Sequence, residues 1–73
     1  MKTQFETSVI DISRLAFIDT LSAEFTMRTG VGVYVYLSPI DINSLFRHYL
    51  KENLTIAIFV RQYVKEFSTE NQI

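Results

Sequence analysis

The chain has 73 residues, 48% of them hydrophobic, 14% aromatic and 21% charged, with no cysteine, one histidine and a formal net charge of −1. A domain of this size buries only about 60% of the surface its unfolded chain exposes, and the usual remedies are disulfides, a structural metal or a second copy. The missing cysteines exclude disulfides and thiolate metal sites, one histidine leaves zinc short of ligands, and near-neutrality excludes a global field for nucleic acid or anionic membrane.

The opening "MKTQFETSVIDIS" lacks the apolar core of a secretory signal, and no uncharged run approaches the length of a membrane span. A cytoplasmic, soluble protein is expected. Within that opening, Phe5, Thr7 and Val9 alternate with Gln4, Glu6 and Ser8, the pattern of a half-buried strand.

"DISRLAFIDTLSAEFTMRTG" follows. Asp11 or Ser13 can cap a helix, Gly30 can end one in the left-handed conformation, and Phe17, Ile18, Leu21 and Phe25 share one side at helical spacing. Ala16, Ala23 and Met27 lie opposite, so this helix offers two contact sides. The spacing predicts helix at least to Ala23 and leaves residues 24–29 open between helix and a hairpin arm.

"VGVYVYL", residues 31–37, is uncharged and reads as a strand with Val31, Val33, Val35 and Leu37 on one face and Gly32, Tyr34 and Tyr36 on the other. Next, "SPID" is a stop and a start: Pro39 suits a first helical turn and Asp41 its positive end. Ile42, Leu45, Phe46, Tyr49 and Leu50 then form a stripe, the firmest helical pattern in the chain.

Residues 54–60, "LTIAIFV", suit a buried parallel strand and would make a βαβ unit with "VGVYVYL". The longer pattern Ile56, Phe59, Val60, Tyr63, Val64 and Phe67 favours a helix from Thr55 to Ser68 instead, with Ile58 off its stripe. A single domain over residues 1–73 is expected, with a frayed tail at 68–73. The expected fold is α+β in the order β-α-β-α-α, a short sheet packed on helices, with the βαβ arrangement as the alternative.

No catalytic, metal or cofactor site stands out. Ser44, His48 and Glu52 lie one helical turn apart, but a bare helix face has no cleft and no oxyanion donors, so they read as a solvated face. "TGVG" lacks the lysine and following helix of a phosphate loop, and Asn53-Leu54-Thr55 matches a glycosylation acceptor without a secretory signal. A helix-turn-helix over residues 41–67 is the alternative function, with Arg47, Lys51, Arg61, Gln62 and Lys65 placed for nucleic acid. No glycine marks its turn, and Glu52 and Glu66 dilute the basic patch.

The apolar excess points to binding instead. Tyrosine is enriched where proteins meet, and Tyr34, Tyr36, Met27 and Ile58 are left over from the predicted stripes. The expectation is a non-enzymatic protein-interaction module, a homodimer whose partner is another protein, acting as a small phage- or plasmid-type regulator or inhibitor. An open strand edge shared between copies would supply the missing interior.

Overall fold

Phe17, Leu21 and Phe25 recur every four residues, which places all three on one side of a helix. The computed structural model describes residues 4–71, with side chains from residue 12, and begins with α1 (Gln4–Thr29). Its threonines, serines and isoleucines are indifferent helix formers, so packing holds it more than propensity does. All three stripe residues are fully buried. The end is local chemistry: Gly30 takes φ 85°, its N–H donates to the Thr26 carbonyl at 2.8 Å, and the Thr29 hydroxyl donates to the Phe25 carbonyl at 2.8 Å. Residues 24–29 are therefore helical, with Arg28 Nε donating to Glu24 Oε2 at 2.9 Å.

This overturns the expected α+β fold. No strand exists among the described residues, and the order is three α-helices with one 3-10 turn. Residues 5–9 lie in the first turns of α1 rather than in a strand, and residues 11 and 13 lie inside that helix rather than at its start. "VGVYVYL" is a connection containing a 3-10 turn, Val33–Val35. The Val35, Tyr36 and Leu37 N–H groups donate to the Gly32 and Val33 carbonyls at 2.9 to 3.2 Å. Val33 and Leu37 point inward four residues apart with Tyr36 half-buried beside them, while Val31, Tyr34 and Val35 face solvent. β propensity lost because it has value only against a neighbouring strand, and the chain that would have supplied one is helical.

α2 (Pro39–Lys51) starts from a capping box. The Asp41 N–H donates to Ser38 Oγ at 3.2 Å while the Ser38 N–H donates to Asp41 Oδ2 at 3.0 Å, and Pro39 sits where a missing N–H costs nothing. Ile42 and Phe46 are buried, Leu45 and Tyr49 pack beside them, and Leu50, expected in the stripe, is exposed.

α3 (Ile56–Asn71) opens under Thr55, whose hydroxyl accepts the Ile58 N–H at 3.2 Å and whose carbonyl accepts the Phe59 N–H at 3.0 Å. The helical pattern thus prevails over residues 54–60, and the βαβ alternative falls with the sheet. The helix continues through Ser68 to Asn71; Gln72 and Ile73 lie outside the described residues.

Two aromatic nodes on α1 organise the interior. The Phe17 ring lies 5.4 Å from Phe46, 5.4 Å from Tyr49 and 5.9 Å from Phe59. Phe25 lies 5.3 Å from both Tyr36 and Phe67. Phe59 and Phe67 meet Phe17 and Phe25 in the same order, so α3 runs parallel to α1. Tyr36, ahead of α2, meets Phe25, and Phe46, within α2, meets Phe17, so the chain returns along α1 and α2 runs antiparallel. Both helices pack on α1, and they meet each other where Phe59 lies 5.6 Å from Tyr49 and 5.8 Å from His48. Among the described residues, no helix is long and apolar enough to cross a membrane.

Phe17→Ala removes the ring that both flanking helices share and is expected to cost about 3–5 kcal/mol. Urea unfolding followed by circular dichroism should show a chain with little residual stability. Ser68 works in the other direction, because its hydroxyl is buried without a hydrogen-bond partner. Ser68→Ala should raise stability by about 1 kcal/mol, read as a later urea midpoint.

Candidate functional site

α2 and α3 meet where the Tyr49 and His48 rings lie 5.6 Å and 5.8 Å from Phe59, and beside that contact a groove of about 560 Å³ opens between them. Its floor is apolar: Leu37, Leu45, Leu54, Phe59 and Tyr63 line it. Its rim carries Asp41, Glu52 and Glu66 together with Ser44, His48 and Gln62, and no lysine or arginine.

The three carboxylates differ in occupation. Asp41 Oδ2 accepts from the Ser38 N–H and hydroxyl, both at 3.0 Å, so that group is held in the capping box. Glu52 Oε2 lies 3.5 Å from His48 Nε2 across one turn of an exposed helix surface. Glu66 pairs with no cation among the described residues. With His48 neutral the rim holds three negative charges over an apolar floor. Burial raises the Tyr63 phenol above its ordinary value of 10.0, and the nearby charges of Asp41 and Glu70 push the same way.

Ser44, His48 and Glu52 therefore do not stand on a bare face: they form part of one groove wall. The arrangement is still not a nucleophile and its base. No hydrogen bond joins Ser44 to His48, and helical walls present no free backbone N–H groups to an oxyanion. Among the described residues no third histidine, aspartate or glutamate joins His48 and Glu52 closely enough to hold a metal ion.

The other residues singled out from sequence are scattered. Met27 is 75% exposed on the solvent side of α1, Tyr34 is 62% exposed at the 3-10 turn, and Ile58 is 41% exposed on α3. Tyr36 is half-buried, stacked on Phe25 and edge-on to Phe67 at 5.6 Å. Of the residues proposed for nucleic acid, Gln62 lines the groove, while Arg47 and Lys51 on α2 and Arg61 and Lys65 on α3 do not. At about 100° per residue, Arg61 lies well round α3 from the groove, whereas Lys51 falls within about 20° of Ser44, just outside the groove wall. Asp41, Glu52 and Glu66 line the groove, and the four cations lie outside its lining.

Asp41, Glu66, Leu37 and Leu54 were not foreseen as one site. The available signal was a polar flank beside each stripe, Asp41, Ser44 and His48 on one helix and Gln62 and Glu66 on the next. Sequence spacing does not show that the two flanks face each other. Comparison with protein-family models, curated proteins and solved structures finds no match.

The Tyr63 environment is testable by pH. Its folded pKa lies above its unfolded one, so the unfolded chain loses the phenolic proton first as pH rises. The contribution to stability is complete below pH 10 and is lost above it. Ultraviolet titration of the wild type minus Tyr63→Phe should show a phenol ionising later than free tyrosine, and Asp41→Asn should move that midpoint back down.

Proposed function

We propose that this chain is a non-enzymatic interaction module, working in the cytoplasm as a homodimer and regulating a partner protein by occupying its surface. The observation that carries self-association is the solvent side of α1. Ile12 and Leu15 are 64% and 66% exposed, and Met27 more so. Ile12, Ala16, Ala23 and Met27 fall on one face at helical spacing, with Asp19 the only charge among them.

The spacing suits a second copy of the same helix. Antiparallel pairing about a two-fold axis between Asp19 and Thr20 sets Ile12 against Met27 of the second copy and Ala16 against Ala23. Large residues then meet large ones at the ends, and alanines allow close approach in the middle. The edge-strand route to a dimer drops out with the strand itself. The same symmetry brings the two Asp19 carboxylates near each other, so the dimer works against a like-charge repulsion at its centre.

Light scattering behind a sizing column, at micromolar concentrations, should give twice the 8.5 kDa of one chain. Met27→Glu and Ile12→Glu should restore the monomer with helix content unchanged, and Asp19→Asn should tighten association several-fold. A wild-type monomer throughout that range would exclude self-association.

A further inference from the structure

We infer that the groove between α2 and α3 is a docking site for a basic amphipathic helix of a partner protein, whose apolar side chains enter between Leu45, Leu54 and Phe59 while its lysines and arginines meet Glu52, Glu66 and Asp41. The inference rests on the reading of the chain as an interaction module, and does not depend on its self-association.

Three features select the occupant. The first is charge: the rim brings three carboxylates together and its lining includes no lysine or arginine, although the chain carries seven of those residues and four of them are on the same two helices. A cationic ligand is drawn in and a phosphate backbone is repelled. The second is the nature of the walls. Both are helices whose backbone groups are satisfied internally, so an extended peptide gains no main-chain hydrogen bonds there, whereas a helix arrives with its own already made. The third is shape. A fourth helix laid along the groove would touch both α2 and α3, covering Leu54 and the part-exposed Leu45 and Tyr63. The volume, about 560 Å³, lies in the range of sites that take several large side chains.

Direct competition between these features is measurable on the full chain. The probe is a synthetic helical peptide of about 18 residues, with leucines at i, i+4, i+7 and i+11 and lysines on the flanks, labelled for fluorescence anisotropy. A second peptide keeps the leucines and replaces every lysine with glutamate. The lysine peptide should bind at least about tenfold more tightly than the glutamate peptide, and its affinity should fall as salt rises. Glu52→Lys with Glu66→Lys should weaken binding at least about tenfold. Leu54→Ala should weaken both peptides. Circular dichroism confirms that each variant folds, and these positions are exposed, so Leu54→Ala serves if the double variant does not.

Equal affinity for the two peptides, or no binding of either, overturns the proposal. So does a double variant that changes solution mass without affecting the peptide, since a second copy would then fill the groove. Light scattering on the same samples separates the two readings. A dimer that ignores the peptides sinks the groove proposal alone, and a monomer that ignores them sinks the interaction module as well.

Discussion

Everything in this fold hangs from one face of one helix. Phe17 and Phe25 on α1 each collect a ring from α3 and a ring from α2 or the segment leading into it, and beside the Phe17 node Tyr49 and His48 of α2 meet Phe59 of α3 at 5.6 Å and 5.8 Å. Two flanking helices held on a common support and touching at that node make a wedge. The wedge has an outer side of α1 with nothing on it and an inner cleft between α2 and α3. The two candidate interaction surfaces are two of the places where this three-helix arrangement leaves apolar side chains uncovered.

The charge distribution follows from the same geometry. The sequence puts Asp41, Glu52 and Glu66 along the cleft and leaves Arg47, Lys51, Arg61 and Lys65 out of its lining. A net charge of −1 thus conceals a cleft that gathers carboxylates without a lysine or arginine among them. Net charge alone therefore says little about which ligands such a chain attracts; the arrangement decides.

What the sequence disclosed depended on whether a pattern was confined to one element. The stripes Ile42, Phe46 and Phe59, Val60, Val64 are local repeats that bury as their spacing requires, and Gly30 ends its helix as only glycine does cheaply. Residues 5–9 and 31–37 misled because alternation over five to seven residues is a weak signal when no partner strand exists to give it meaning. In the second case Val33 and Leu37 packed at i, i+4, a helical interval hidden inside an alternating one. The groove was invisible for another reason: Glu52 caps the end of one helix and Glu66 belongs to the next, and only tertiary packing sets them along one groove. Tyr36, left over in the strand reading, became part of the Phe25 node, while Tyr34, two residues earlier, faces water.

The connection at residues 31–37 has a consequence for how this protein can fail. Seven consecutive residues without a charge or proline, five of them valine or tyrosine with strong β preference, are kept out of extended form by a single 3-10 turn and by the burial of Val33 and Leu37. Such a segment has the composition of a cross-β spine. Its restraint is tertiary, so any event that lifts this connection from α1 releases a strand-former with Val31, Tyr34 and Val35 already facing outward. Amyloid-type assembly would then compete with refolding, and the burial of Val33 and Leu37 together with the packing of Tyr36 on Phe25 and Phe67 is what holds the connection down.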